Sequence, residues 1–212
     1  MEKPEIIEKI KQAKEISKPR KFKQTWDFSV VLKGINLKKP ENRFSSDFTL
    51  PHGRGKDVKI AVIADTMANE AKKVVDTVIT KDEIEKLAKN KKKLKKLVDE
   101  HIFLCEVSLM PLVGKTMGIV MGPRGKMPRP VPPKMKIEPF VMSAKRTVRI
   151  ALKETPVINV VVGSEDMPEE NVAANAEAVY NHIKDKLPKG ATNIRSAYLK
   201  LTMGKPMKFE VR

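Results

Sequence analysis

Two kinds of strand pattern follow one another along this chain, and their order constrains the fold more than any other feature. Thr25-Trp26-Asp27-Phe28-Ser29-Val30-Val31-Leu32 alternates, with Trp26, Phe28, Val30 and Leu32 on one side and Thr25, Asp27 and Ser29 on the other. That is a strand with one buried face. Arg43 to Leu50 is a second extended segment. Val58 to Ala64, by contrast, is almost continuously apolar, as a strand covered on both faces must be. Ile102 to Val107 repeats that pattern, with helical stretches expected at 68–76, 82–99 and near 109–117. Buried strands alternating with helices predict parallel βαβ units and a layered α/β domain.

The half-buried pattern then returns in Thr147 to Lys153, Val157 to Val162, Ile194 to Thr202 and Met207 to Val211. Pro168-Glu169-Glu170 opens a helix whose apolar stripe is Val172, Ala176, Val179 and Ile183. An amphipathic helix over 5–16 carries Ile6, Ile7, Ile10, Ala13 and Ile16. Neither end of the chain alone supplies a sheet with its covering helices. Residues 1–54 and 147–212 are therefore expected to form one discontinuous domain, with 55–146 inserted. Gly53, Gly55 and Ser143 lie near the paired crossings, where small residues suit a hinge.

The formal net charge of +17 points to a polyanionic partner, with nucleic acid ahead of a membrane surface. No apolar stretch reaches the roughly 20 residues that span a bilayer. The charged start, Met1 to Glu5, precedes no apolar signal core, so a cytoplasmic protein is expected. Charge does not locate the binding surface, because residues 55–146 hold 20 basic and 11 acidic side chains and the two ends together hold 23 and 15. Aromatic residues do: of ten, only Phe103 and Phe140 lie in the insert. RNA is recognised by stacking as well as by charge, which favours the terminal domain.

Strand parity narrows the surface further. Along Ile194 to Thr202, Ala197, Leu199 and Leu201 face the core, leaving Ser196, Tyr198, Lys200 and Thr202 opposite. With Thr25, Asp27 and Ser29 these give a sheet face rich in hydroxyls and carrying one carboxylate. A carboxylate contacts phosphate poorly but accepts well from a ribose 2′-OH. Arg149 and Lys153 would add phosphate contacts.

At this point several segments together resemble the L-one family of large-subunit ribosomal proteins, in its archaeal branch. They are Lys21-Phe22 before Thr25, Leu50-Pro51-His52-Gly53-Arg54-Gly55-Lys56, Met121-Gly122-Pro123-Arg124-Gly125-Lys126-Met127-Pro128, and Thr202-Met203-Gly204 after Arg195-Ser196-Ala197-Tyr198. The resemblance covers nearly the whole chain in order. It implies an α/β (α+β) protein of two domains, a discontinuous sheet-plus-helices RNA-binding domain with an inserted three-layer Rossmann-like αβα domain. It further implies a structural constituent of the large ribosomal subunit that binds rRNA at the mobile side stalk. Release of deacylated tRNA from the exit site and repression of the protein's own mRNA are implied as well.

Carried over residue by residue, the family's RNA contacts are Lys21, Phe22, Thr25, Ser196, Thr202, Met203 and Gly204. Asp27 stands where the family carries an acidic residue, often Glu. Phe22 is in phase with Trp26 rather than Thr25, so it needs a bulge or a strand that begins after it. The free protein is expected to be a monomer.

The remaining signals exclude more than they offer. Gly122 to Lys126 is no phosphate loop, since Val120 stands where the first Gly belongs and Met127 where Ser or Thr belongs. Gly53-Arg54-Gly55 precedes its strand and has Val58 where a dinucleotide fingerprint needs its third Gly. Arg124, Lys126 and Arg129 form a basic loop suited to a second RNA or tRNA contact. Lys89 to Lys96 reads as a solvated helix face. His52, His101 and His182 lack ligand spacing, so no metal or cofactor is expected, and Cys105 reads as a buried structural thiol. An RNA-processing or RNA-modifying enzyme is the rival reading, and a non-specific basic nucleic-acid-binding protein is another. The first would need a cofactor loop or clustered His and carboxylates.

Overall fold

A computed structural model describes residues 3–133 and 135–209. In chain order the first segment forms α1 (Lys3–Ile16), β1 (Thr25–Leu32) and β2 (Phe44–Thr49). The middle forms β3 (Lys59–Ile63), α2 (Ala68–Val74), β4 (Thr77–Ile79), α3 (Lys81–Lys89), α4 (Lys91–Glu100), β5 (His101–Glu106), α5 (Met110–Thr116), α6 (Gly118–Met121), β6 (Arg129–Val131) and α7 (Ile137–Arg146). The last segment forms β7 (Thr147–Leu152), β8 (Val157–Ser164), α8 (Glu169–Lys186), β9 (Ile194–Leu201) and β10 (Met207–Phe209). The strand expected to run on to Val211 extends beyond the described residues.

The chain divides into two compact units, Met1–Lys56 with Arg146–Arg212, and Asp57–Lys145. The crossings lie two residues and one residue from those read off the sequence.

In the terminal unit a four-stranded antiparallel sheet runs β10-β9-β1-β8, beside a two-stranded ribbon of β2 and β7. One face of the sheet is covered by α1 and α8. Ile6, Ile10 and Ala13 from α1 and Val172, Ala176, Val179 and Ile183 from α8 join Trp26, Phe28, Val30, Leu199 and Leu201 in one core. Trp26 and Phe28 are fully buried, so these rings are core and not stacking platforms. Burying side chains of this size contributes roughly 1.5–3 kcal/mol each. The ribbon is tied to α8 by Ser46 Oγ and His182 Nε2, 3.1 Å apart, and by the Phe48 ring against His182.

In the inserted unit the sheet is wholly parallel, in the order β4-β3-β5-β6. Continuous apolar strands need cover on both faces, and they have it. Ala61, Ile63, Phe103 and Cys105 pack against α3 to α6, while Ile60, Val62 and Leu104 pack against α2 and α7. This is a three-layer αβα arrangement. Burial pushes the Cys105 thiol up to about 12, so it is inert. The single amphipathic region expected over 82–99 is two helices. Thr80 and Glu83 make a capping box on α3, and Asn90 restarts the helix by accepting from Lys93 N at 3.2 Å.

Candidate nucleic-acid interface

The half-buried strands leave the second face of the four-stranded sheet uncovered by helices, and period-two geometry decides what stands on it. Thr25, Asp27, Ser29 and Val31 are all half-buried in β1, between fully buried neighbours. Pairing with β9 sets Asp27 opposite Lys200, Ser29 opposite Tyr198 and Val31 opposite Ser196, and β10 adds Lys208 beside Tyr198. Burial pushes the Asp27 carboxyl above the ordinary aspartate range, with the Lys200 charge opposing it.

At one end of this sheet the start of β1 and the turn from β9 to β10 are locked together. Thr25 N donates to Thr202 Oγ1 at 3.1 Å, and Thr202 N donates to Thr25 O at the same distance. The two hydroxyl oxygens are 3.0 Å apart, and Thr202 Oγ1 lies 3.2 Å from Thr25 O, to which it donates. Lys200 Nζ reaches Thr202 O at 3.4 Å. The turn closes with Gly204 N donating to Leu201 O at 2.8 Å.

Glycine is required at 204 by close approach. A Cβ there would stand 2.7 Å from Ser17 Oγ and 3.2 Å from Leu201 Cβ. Just outside this lock two large apolar side chains stand in solvent, Phe22 at 53% and Met203 at 60% exposure. The strand begins after Phe22, which frees it from the parity that buries Trp26. The arrangement offers paired hydroxyls and a carboxylate beside exposed apolar surface on a rigid backbone. That is chemistry for ribose and base edges more than for phosphate.

Reasoning from sequence missed the residues that hold the lock. Gln24 is buried, and its Oε1 accepts from Met203 N at 3.1 Å. Its own N donates to Glu165 Oε2 at 3.1 Å, while Glu165 N donates to Gln24 O at 3.0 Å. Neither residue lies on a periodic face, so no pattern marks them. Asn175 was hidden inside the apolar stripe of α8. It is fully buried, accepts from His52 N and donates to the carbonyls of Gly53 and Val162.

Not every expected site residue joins this cluster. Ser196 is only 5% exposed, beside a slip in the β1–β9 register between Val31 and Leu32. It is also six residues from Thr202 along the strand, about 20 Å away. Ser196 is thus an enclosed hydroxyl well separated from the Thr202 end of the sheet. Arg149 and Lys153 belong to the β2–β7 side of the unit, where Arg149 Nε donates to Ser45 Oγ at 2.8 Å. Lys21 lies in the exposed bend before β1.

In the inserted unit, Arg124 Nε bonds Asp99 Oδ1 at 2.9 Å, and Lys126 Nζ donates to the carbonyls of Val98 and Asp99, both at 2.7 Å. These cations cap the C-terminal end of α4. Arg129 opens β6.

The residues expected at the crossings are held as well. Gly53 (φ +70) and Gly55 (φ +67) need glycine's left-handed backbone, and a Cβ on Gly55 would overlap Met167. Ser143 sits within α7, not in a connection.

The inserted sheet reverses strand order between β3 and β5, where doubly wound folds place ligands at the carboxyl ends of the strands. Here the buried Glu106 carboxylate fills that position. It accepts from Asp65 N at 3.1 Å, Thr66 Oγ1 at 2.9 Å and Ser108 Oγ at 2.9 Å. Burial pushes its pKa up, but these hydrogen bonds outweigh it and hold it below the ordinary glutamate range.

Comparison with known proteins agrees with this layout. Residues 10–205 match the model of the ribosomal protein L1p/L10e family. The large ribosomal subunit protein uL1 of Methanothermobacter thermautotrophicus is 50% identical over 203 residues, covering 94% of this chain and 96% of that protein. The protein of the same name from Methanocaldococcus jannaschii is 46% identical over 210 residues, covering 98% and 96%. That from Pyrococcus horikoshii is 49% identical over 208 residues, covering 97% and 95%. A family match of this extent, over both units and in one order, settles the relationship: the chain belongs to the ribosomal protein L1p/L10e family.

Proposed function

We propose that this protein is a structural component of the large ribosomal subunit, in the cytoplasm, and binds large-subunit rRNA through the open end of its terminal sheet. The observation that carries the reading is the locked pair Thr25 and Thr202, with Asp27 on the same sheet face and Met203 and Phe22 exposed beside it. Hydroxyls and a carboxylate recognise the 2′-OH that DNA lacks, and Met203 and Phe22 offer apolar surface to sugars and bases. Lys21 and Lys200 supply charge at the edge of the site, with Arg149 and Lys153 as phosphate contacts further off. Family membership supports three further parts of the proposal: binding at the mobile side stalk, a part in release of deacylated tRNA from the exit site, and repression of the protein's own mRNA. We propose that the two units turn about their crossings, the first just after Gly53 and Gly55 and the second at the end of α7, beyond Ser143.

The function is binding, not catalysis. The donors at the one crevice where a doubly wound unit would take a nucleotide phosphate are already occupied by Glu106. The test compares a structured rRNA fragment with its DNA analogue over a salt series. A large preference for RNA that persists as salt rises is the expected outcome. Equal affinity for the two would overturn the reading in favour of a non-specific basic protein.

A further inference from the structure

The lysine run from Lys89 to Lys96, a plain solvated face by sequence, looks different once the helices are placed. The helix α3 follows the dipole rule, with Asp82 and Glu83 in its first turn and Lys86 and Lys89 in its last. The helix α4 inverts it. Lys91, Lys92 and Lys93 occupy its first turn, where the helix already presents partial positive charge, and Asp99 and Glu100 close it.

At the C-terminal end the inversion is neutralised, because Arg124 and Lys126 are bound there. At the N-terminal end it is not. Lys91, Lys92, Lys93, Lys95 and Lys96 are all exposed, and among the described residues none of them has an ion-pair partner. Leu94, Leu97 and Val98 pack toward the core, so helical spacing puts Lys92 and Lys96 outward with Lys93 and Lys95 on either side, while Lys91, in phase with Leu94 and Val98, is exposed only at the first turn. Like charges three and four residues apart repel one another. A solvated face would not need this order, since the same lysines nearer the C-terminus would stabilise the helix.

We infer that the outward face of α4 is a second polyanion contact, carried by the inserted unit and made to RNA phosphates without regard to sequence. Charge complementarity selects the ligand: flexible ammonium groups without carboxylate partners match a phosphate backbone. The choice of RNA over an acidic protein segment rests on the function proposed above.

The test uses the full chain with Lys92, Lys93, Lys95 and Lys96 all changed to Gln. A control chain carries the same charge loss at Lys72, Lys73, Lys115 and Lys136. Binding to a non-cognate RNA duplex is measured between about 50 and 200 mM salt. The expected result is a log–log salt slope shallower by roughly two to three for the α4 variant and by less than one for the control. The α4 variant should also melt no lower than the parent, because repulsion has been removed. Equal slope changes in the two variants, or no change in either, overturn the inference. A loss seen with polyglutamate but not with RNA does so too, assigning the face to an acidic protein. Failure of the underlying RNA reading shows separately, as a parent chain without preference for RNA over DNA.

Discussion

Because the hydroxyls of Thr25 and Thr202 bond one another, their contributions to RNA binding should not be independent. Thr202→Val keeps the shape of the side chain and removes one oxygen. That oxygen accepts from Thr25 N at 3.1 Å, lies 3.0 Å from Thr25 Oγ1 and donates to Thr25 O. The cluster is exposed, so water replaces part of what is lost, and the folding cost is expected near the low end of about 0.5–1.5 kcal/mol. For a chain of this size that lowers the melting temperature by only about 2–4 °C per kcal/mol. On the proposed function the effect on RNA is larger, because the hydroxyl assigned to the ribose also orients its neighbour. Losing a good recognition contact costs roughly 1–3 kcal/mol, a drop of about 5- to 150-fold in affinity. Thr25→Val should cause a similar loss. The double variant should lose little more than either alone, with a coupling energy of about 0.5–3 kcal/mol. Titrations of the four chains against a structured rRNA fragment and its DNA analogue complete the cycle. The RNA preference should shrink in every variant while DNA affinity stays level. Additive losses, or an unchanged ratio of RNA to DNA affinity, would refute the argument that the two hydroxyls act as one site.

Three further outcomes follow from the same geometry. Gly204→Ala should weaken RNA binding by displacing the turn, and adding Ser17→Ala should restore much of it, since Ser17 Oγ is the atom the new methyl meets at 2.7 Å; titration of the single and double variants shows whether rescue occurs. Asp27→Asn should raise stability at neutral pH. Burial lifts the folded carboxyl's pKa above its unfolded value, so the native state loses stability as pH rises through that range. The gain should vanish at acid pH, where the carboxyl is protonated in both states, and denaturant melts at the two pH values test this. Asn175→Ala should cost roughly 2–4 kcal/mol by leaving buried backbone groups at His52, Gly53 and Val162 without partners, seen as a melting temperature lower by roughly 5–15 °C.

Much of the fold was legible because burial imposes a period. Trp26 to Leu32 shows one covered face and Ile60 to Ile63 shows two, and those patterns separate an antiparallel sheet from a parallel one. Phe22 and Met203 were named from the family resemblance, Phe22 against strand parity, and the structure exposes both because one precedes β1 and the other sits in a turn. What escaped was set by contacts distant in sequence. Ser196 has the parity of an exposed residue and pairs with the half-buried Val31, yet it is only 5% exposed, which alternation alone does not predict. Gln24 and Glu165 are 141 residues apart and meet only because β1 and β8 pair. The charges of Arg124 and Lys126 looked available until the end of α4 placed the Asp99 carboxylate against the first and backbone carbonyls against the second.

The Glu106 site bears on how an inserted domain of this architecture contributes to RNA binding. Backbone and hydroxyl donors converging at the carboxyl ends of β3 and β5 would suit a phosphate. A carboxylate bound there by three hydrogen bonds, with its pKa held down, is the anion already in place. A ligand phosphate would have to displace a buried charge and leave it unpaired, which costs several kcal/mol. That crevice is therefore closed to a ligand phosphate, and the polyanion contact inferred for this unit lies instead on its outer surface. The unmatched positive end of α4 is the part of that surface whose charge order helix stability does not explain.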